Sequence, residues 1–225
     1  MTVPPAAPPG TLAAVVKPAL RGWLHAGMLP VALVAGTVLV VLAPTPASRW
    51  AAVVYAVTAV LLFGTSAVYH RGTWSVRGNA RMRRLDHSNI FLIIAGTFTP
   101  LAVTTLPDRQ ATTLLTTVWA GAVAGVVFRV LWLGAPRWLY TPVYLALGFV
   151  AVGYLGAFAR GGGLSVAVLV AVCGVFYVLG ALAYALKRPD PSPRWFGFHE
   201  VFHTGTVLGF AAHFAAIAVG MHRLG

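Results

Sequence analysis

Seven apolar runs, each about 20 residues long, follow one another along this chain of 225 residues. A helix needs about 20 apolar residues to cross the hydrocarbon core of a bilayer, so each run can form one membrane-spanning helix. Proline, glycine or charged residues separate the runs, and such residues typically end helices. The pattern predicts an all-α integral membrane protein, a bundle of seven transmembrane helices over residues 23–42, 50–69, 85–105, 112–133, 139–158, 164–186 and 197–220.

The composition supports a protein that lies almost wholly in the membrane. Hydrophobic residues make up 59% of the chain, charged residues make up 9%, and the mean hydropathy is +0.82, whereas soluble domains contain about 25% charged residues. Seven spans use about 140 positions, which leaves too few for a separate soluble domain. We therefore expect a multi-pass protein of the cell membrane, with a disordered N-terminal tail over residues 1–16 and one seven-helix transmembrane domain over residues 17–225.

The basic residues are distributed unevenly between the two predicted sides of the membrane. The chain has 16 Lys and Arg residues against 4 Asp and Glu residues, a formal net charge of +12. The apolar spans between these charges argue against nucleic acid as a partner. Basic residues are enriched on the cytoplasmic side of membrane proteins, and twelve of the 16 fall on the side of the N-terminus. We therefore expect a cytoplasmic N-terminus and an extracytoplasmic C-terminus. The basic residues on the other side are Arg49, Arg109, Arg160 and Arg223.

Few ionisable residues lie within or beside the predicted spans, and four of them fall at the same depth. His70 ends the second span, Asp86 begins the third, and His199 and His203 begin the seventh, all on the predicted cytoplasmic side. At a rise of about 1.5 Å per residue, all four lie within about 10 Å of one membrane boundary. Ionisable residues are costly inside a membrane, so such a group indicates a functional site.

The spacing of these residues is typical of a zinc site. His199 and His203 are four residues apart, which places their side chains on one face of a helix, and Ser66 has the same relation to His70. Three imidazoles with a water in the fourth position are the ligands of a catalytic zinc. Asp86 would hold that water or deprotonate it. Zinc is the first expectation because imidazole ligands suit it, and iron, copper and nickel stay open as alternatives.

The remaining histidines and the single cysteine are expected to have structural roles. His25, His87 and His222 lie near the predicted membrane surfaces, where a histidine usually serves as an interfacial anchor or as a hydrogen-bonded polar group. His213 lies about 15 Å deeper than the histidine pair that begins its helix, which is too far for a fourth ligand and favours a hydrogen bond between helices. Cys173 is expected to be a small buried hydrophobe, and a lone cysteine excludes both an internal disulfide and a cysteine-based metal site.

The sequence from His199 to His203 also fits HExxH, the pattern in which a glutamate is the general base of zinc proteases. That interpretation makes Glu200 catalytic and the protein an intramembrane protease. The pattern is short, however, and His70 and Asp86 supply a third ligand and a water-holding carboxylate without Glu200. Proteolysis is therefore kept as an alternative to the three-histidine site.

Three ordered motifs cover the residues of this predicted site. They are Ser66-Ala-Val-Tyr-His70, Leu85-Asp86-His87-Ser-Asn-Ile90 running into Ala95-Gly96-Thr97-Phe98-Thr99-Pro100, and His199-Glu-Val-Phe-His203 followed by His213. With these motifs the chain resembles the hemolysin III family, within the wider progestin and adipoQ receptor superfamily, over about residues 17–220. The resemblance implies seven helices, a cytoplasmic N-terminus and a zinc near the cytoplasmic side. It also implies zinc ligands at His70, His199 and His203, a water-holding Asp86 and an associated Ser66.

The resemblance also suggests what the site does. The eukaryotic receptor branch of the superfamily is associated with ceramide hydrolysis, whereas the bacterial branch is named for haemolytic activity. The leading hypothesis is a zinc-dependent membrane hydrolase, with Asp86 and Ser66 as catalytic residues, that cleaves a lipid amide or ester entering sideways from the membrane. The alternative is a non-enzymatic receptor, a regulator of membrane composition or a cytolysin, with a structural zinc. The specific substrate and the oligomeric state stay open.

Overall fold

The computed structural model describes residues 17–224 and is helical, with no strand among those residues. A 3-10 turn over Val150–Tyr154 joins two of the helices into one span, so this part of the chain has seven segments long and apolar enough to cross a membrane. The seven predicted spans are thereby confirmed, whereas the tail predicted for residues 1–16 lies outside the described residues. The helices are α1 (Trp23–Leu42), α2 (Pro46–Arg71), α3 (Val76–Thr105), α4 (Asp108–Leu131), α5 (Arg137–Phe149), α6 (Leu155–Gly162), α7 (Leu164–Leu186) and α8 (Phe198–His222).

The third helix is longer than the sequence predicts. The apolar run begins at residue 85, but α3 begins at Val76 and spans 30 residues. The side chain of Ser75 caps its N-terminus, and the first turns carry the exposed residues Arg77 and Arg81. Arginine is a good helix former, so the helix continues past the apolar segment into polar surroundings. Hydropathy detects only the part of a helix that lies in the membrane, which is why the predicted start is wrong.

Aromatic side chains pack the centre of the bundle, where α2, α3 and α8 meet. Tyr55 and Phe63 of α2, Phe91 and Phe98 of α3, and Phe210 of α8 are all buried. The rings of Tyr55 and Phe210 stack with their centroids 5.3 Å apart, and Phe63 meets Phe210 edge-on at 5.0 Å. Such rings bury large areas and prefer these geometries. This packing fixes the relative positions of the helix ends that carry the predicted site residues.

The outer surface of the bundle is apolar. Side chains such as Val34, Val41, Trp50, Val123 and Leu164 are between 57% and 73% exposed. Soluble proteins rarely expose apolar patches larger than a few hundred Å², because such surface is unfavourable in water. The surface therefore suits contact with lipid tails, as expected of a multi-pass membrane protein.

Helices α7 and α8 approach each other closely at Gly205. A Cβ added there would lie 2.8 Å from the carbonyl oxygen of Phe176 and 3.0 Å from the Cα atom of Gly180, both in α7. These are backbone atoms, which cannot move aside as the end of a flexible side chain can. We therefore expect Gly205→Ala to lower the free energy of unfolding by about 1–3 kcal/mol, as measured by denaturant unfolding in detergent.

Gly27→Ala is the matched control for that substitution. A Cβ added at Gly27 of α1 has no neighbour within 4 Å, and alanine has a higher helix propensity than glycine. The control should therefore leave the free energy of unfolding unchanged or slightly increased. Equal destabilisation by both substitutions would contradict the close packing of α7 on α8.

Candidate metal centre

Three histidine side chains come together where α2 ends and α8 begins. His70 lies in the last turn of α2, and His199 and His203 lie in the first turns of α8. One ring nitrogen of each lies within 4.8 Å of the others, and the Nε2 atoms of His70 and His199 are 3.2 Å apart. His70 and His203 are buried. The structure thus brings together the three residues predicted as metal ligands, and we refer to them as the three-histidine cluster.

Asp86 and Ser66 lie beside the three-histidine cluster. Oδ2 of Asp86 is 3.7 Å from Nε2 of His70, which is too long for a direct hydrogen bond but short enough for both groups to contact one water or ion. Ser66 lies one turn before His70 on α2, and its hydroxyl is next to the Asp86 carboxylate. Both Ser66 and Asp86 are buried. A carboxylate of α3 therefore faces the imidazoles contributed by α2 and α8.

The donor atoms of this cluster fit a metal ion. A neutral imidazole has one N–H and one nitrogen with a lone pair. Because the Nε2 atoms of His70 and His199 face each other, only one of them can carry a proton in this contact, and the other presents its lone pair. Nδ1 of His203 is buried and has no hydrogen-bond partner among residues 17–224. A cation bound by the three rings would satisfy these lone pairs. Three nitrogen ligands leave a fourth position open, as in catalytic zinc sites, and the same donors also bind other first-row metals.

His25 belongs to the surroundings of this cluster, although the sequence analysis assigned it to the membrane surface. Its side chain is only 2% exposed, and its ring stacks on that of His203 with centroids 3.8 Å apart and an interplanar angle of 6°. The interpretation as an interfacial anchor is therefore wrong, because α1 packs against α2 and α8 at this level. The signal was present in the sequence, since His25 lies at the same end of its span as the other clustered residues.

His87 is a hydrogen-bonded polar group, the second of the two roles expected for it, and not an interfacial anchor. The residue is buried, and Nη2 of Arg129, in the last turn of α4, lies 2.6 Å from its Nδ1. Arg129 is 0% exposed, although the charge count treats it as a residue flanking a span. By contrast, His222 is exposed at the end of α8, as an interfacial residue would be.

Deeper in the bundle, His213 makes the contact between helices that the sequence predicts. Its Nδ1 lies 2.8 Å from Sγ of Cys173, which belongs to α7. The hydrogen bond links α7 to α8, so Cys173 is not simply a small buried hydrophobe. Both side chains are buried and line the far part of the cavity that begins at the three-histidine cluster.

Glu200 makes structural contacts that occupy both of its carboxylate oxygens. Oε1 accepts a hydrogen bond from Nε of Arg21, and Oε2 accepts one from the backbone N–H of Gly197 at 2.9 Å. The N-terminal segment is held against the start of α8 by a further hydrogen bond from the N–H of Ala19 to the carbonyl of Arg194, 2.9 Å long. These contacts argue against the general-base role that the protease interpretation requires of Glu200.

A cavity of about 410 Å³ extends from the cluster into the bundle, and most of its lining is apolar. Its polar end is lined by Ser66, Asp86, His199 and His203. Four apolar residues of the lining are also more than half exposed on the outer surface, namely Phe149, Val152, Val175 and Leu179. The cavity therefore opens between the fifth and sixth spans toward the region of the lipid tails, where a ligand can enter from the membrane.

The fold and the cluster define a helical membrane protein with a three-histidine site at one end of the bundle. Residues 13–214 match the family model described as Haemolysin-III related, and the chain belongs to this family. The chain is 30% identical to the Hemolysin-3 homolog of Bacillus subtilis (strain 168) over 185 residues, which cover 80% of this chain and 82% of that protein. It is 28% identical to Hemolysin-3 of Bacillus cereus over 167 residues, which cover 73% and 72% of the two chains. The family resemblance of the three sequence motifs is thereby confirmed.

Proposed function

We propose that this protein is a zinc-dependent membrane hydrolase that cleaves a lipid amide or ester. The observation that carries the proposal is the convergence of three histidines and one carboxylate at the polar end of an apolar cavity open to the membrane. In this proposal His70, His199 and His203 hold the zinc. When bound, zinc polarises a carbonyl group and makes water a stronger nucleophile near neutral pH.

Side chains of the protein carry out the remaining steps of the reaction. Asp86 accepts a proton from the attacking water and returns it to the leaving nitrogen or oxygen. The water oxygen bonds to the carbonyl carbon, and the bond from that carbon to the leaving atom breaks, which yields a fatty acid and an amine or alcohol. Ser66 donates a hydrogen bond that keeps the Asp86 carboxylate turned toward the cluster. The apolar part of the cavity holds the acyl chain and excludes bulk water.

The proposal is tested with purified protein in detergent and a panel of acyl lipids that includes ceramide, other lipid amides and lipid esters. We expect fatty acid release by the zinc-loaded protein, loss of release after chelation and recovery when zinc is returned. Release that persists after the metal has been removed would contradict a metal-dependent reaction. No release from any lipid, by protein that holds one zinc per chain, would favour a non-enzymatic membrane protein with a structural metal.

A cytolytic activity is the second candidate function, and the name of the relative from Bacillus cereus, Hemolysin-3, favours it. Lysis and hydrolysis are separable in one experiment, because erythrocytes can be treated with the wild type and with Asp86→Ala. Equal lysis by both proteins would show that lysis does not need the proposed hydrolysis. Lysis by the wild type but not by Asp86→Ala would show that lysis depends on the proposed catalytic site.

We also propose that the metal centre lies on the cytoplasmic side, as the distribution of basic residues predicts. Arg77 and Arg109 are exposed near the starts of α3 and α4, which lie on opposite sides of the membrane if each helix spans it. Cysteine substitutions at these positions can report sidedness, because the natural Cys173 is buried. A membrane-impermeant maleimide should label Arg109→Cys on intact cells and Arg77→Cys only after lysis. The reverse pattern would place the centre on the outer side.

A further inference from the structure

Arg129 is a fully buried cation that has no carboxylate partner among residues 17–224. Nη1 lies 3.4 Å from the carbonyl oxygen of Trp132, and Nη2 lies 2.6 Å from Nδ1 of His87 and 3.5 Å from the carbonyl oxygen of Leu133. Nε has no hydrogen-bond partner among residues 17–224. The guanidinium group lies 4.5 Å from the ring centroid of Tyr140. A buried charge without a partner of opposite sign is strongly unfavourable, and ionisable groups at membrane depth usually pair with one another. Arg129 therefore requires a negative group that the surrounding protein does not supply.

The acidic residues of the chain are engaged elsewhere or lie too far away. The sequence has only 4 Asp and Glu residues. Glu200 pairs with Arg21, and Asp190 accepts a hydrogen bond from the backbone N–H of Phe198. Asp108 begins α4, at the other end of the helix from Arg129. Asp86 faces the three-histidine cluster.

A second guanidinium group lies near the first. Arg137, the first residue of α5, stacks over the rings of Tyr184 and Phe198 at 4.6 and 5.6 Å. Its Nη1 is buried and has no hydrogen-bond partner in the described part of the chain. Tyr184 hydrogen-bonds through its hydroxyl to the hydroxyl of Tyr140, 3.0 Å away, and the Tyr140 ring contacts Arg129. Both cations thus lie behind one continuous group of aromatic side chains.

Three of the side chains that contact these two arginines line the cavity, and so does Tyr144, whose ring packs against that of Tyr140. We call His87, Tyr140, Tyr144 and Tyr184, together with Arg129 and Arg137 behind them, the cationic wall. Because an arginine can only donate, Nδ1 of His87 accepts from Arg129, and the proton of the neutral ring is then on Nε2. The Tyr144 hydroxyl donates to the backbone carbonyl of His87, 3.4 Å away, and one hydroxyl of the Tyr140–Tyr184 pair donates to the other. The wall therefore offers the Nε2–H of His87 and the remaining hydroxyl proton of that pair. Two positive charges lie behind these donors, in surroundings of low dielectric constant where such charges act strongly. Donors of this kind bind carboxylate and phosphate groups.

We propose that the cationic wall binds the anionic head group, a phosphate or a carboxylate, of a lipid whose acyl chain occupies the apolar part of the cavity. The opening between the fifth and sixth spans admits such a molecule from the membrane. His87 follows Asp86 directly, so a head group at the wall lies beside the three-histidine cluster. The inference deepens the proposed function, on which the role of this lipid as substrate or product rests. Binding itself requires neither the metal nor turnover.

Binding of matched single-chain lipids tests the inference. Metal-free full-length protein in a neutral maltoside detergent is titrated with hexadecyl phosphate, hexadecanoate and the neutral hexadecanamide, and the complexes are counted by native mass spectrometry. Charge-assisted hydrogen bonds contribute about 1.5–3 kcal/mol, so we expect at least about tenfold tighter binding of the anions than of the amide. Tighter binding of the phosphate would indicate a phospholipid-type head group, and tighter binding of the carboxylate would indicate a fatty acid. Equal binding of all three lipids would overturn the inference.

The substitution Arg129→Met tests whether the preference for anionic lipids arises from the cationic wall. Methionine keeps much of the apolar volume and removes the unpaired charge, so the variant should fold as stably as the wild type in neutral detergent while losing the tenfold preference for anions. Arg81→Met, which removes an exposed arginine from α3, should keep that preference. His87→Phe removes the Nε2–H donor of the wall and gives a second measurement if Arg129→Met does not fold. If Arg129→Met folds, or His87→Phe in its place, and still prefers anions as strongly as the wild type, the inference is overturned.

Discussion

Replacing Asp86 with alanine should lower kcat for lipid hydrolysis by a factor of about 10² to 10⁴, the usual contribution of a general base, while the metal stays bound. Oδ2 of Asp86 lies 3.7 Å from Nε2 of His70, so the carboxylate can reach a water at the fourth position of the site. Three imidazoles suffice to hold zinc, so loss of Asp86 should not release it. The measurement is fatty acid release from the best lipid of the panel, with metal content determined on the same sample.

Two further variants make that result specific. Asp108→Ala removes an exposed carboxylate from the first turn of α4, away from the cluster, and should leave kcat unchanged. Ser66→Ala should lower kcat by a smaller factor, about tenfold, since one hydrogen bond to the carboxylate contributes about 0.5–3 kcal/mol. Wild-type turnover by Asp86→Ala would contradict the role given to Asp86. Loss of metal from Asp86→Ala would make the residue a ligand instead of a base.

Zinc should raise the thermal unfolding temperature of the protein by on the order of 10 °C. A ligand that binds only the folded state adds about 4.1 kcal/mol to stability at 1,000 times its Kd. For a domain of this length, 1 kcal/mol corresponds to about 2–4 °C. The effect arises because His70 of α2 and His199 and His203 of α8 are distant in sequence, so that the intact set of ligands exists only in the folded bundle. Unfolding is followed in detergent after chelation and again after zinc is added back.

Histidine variants show whether that shift comes from the proposed ligands. His203→Ala should lose the response to zinc, whereas His222→Ala, which removes an exposed histidine from the same helix, should keep it. Asp86→Ala should also keep it, since the carboxylate is not a ligand in this proposal. The same zinc-dependent shift in His203→Ala as in the wild type would mean that zinc binds elsewhere.

The number and positions of the spans could be predicted because crossing a bilayer imposes a length and an apolar composition on each helix. The start of α3 could not, because residues 76–84 form helix outside the apolar segment, where hydropathy carries no information. The fifth span was predicted as one uninterrupted run, yet it contains the 3-10 turn Val150–Tyr154. That turn changes backbone hydrogen bonding without changing how apolar the sequence is.

The sequence predicts those features of the site that depend only on how deep each residue lies in the membrane. Placing His70, Asp86, His199 and His203 at one level required only the helix rise and the direction of each span, and the structure brings these residues together. Depth does not determine which face of a helix meets a neighbour. For that reason the sequence left open whether His25 and His87 are interfacial anchors or hydrogen-bonded groups within the protein, and the structure shows both buried.

Arg129 shows the same limit for a charged residue. The sequence assigns it only to one side of the membrane, and packing against His87 and Tyr140 buries it completely. Contacts with His87 of α3 and Tyr140 of α5 decide its environment, and both of these residues lie on other helices. Only the tertiary structure shows that the cation has no carboxylate partner in the described part of the chain.

The most direct test of the metal centre is the amount of metal bound per chain, measured by elemental analysis of detergent-purified protein. Wild type, a His199→Ala/His203→Ala double variant and the His222→Ala control are purified in parallel, and helical content is checked for each. We expect about one zinc per chain in the wild type and the control, and none in the double variant. No metal in the wild type, or equal metal in the folded double variant, would contradict the assignment of the three-histidine cluster as a zinc site.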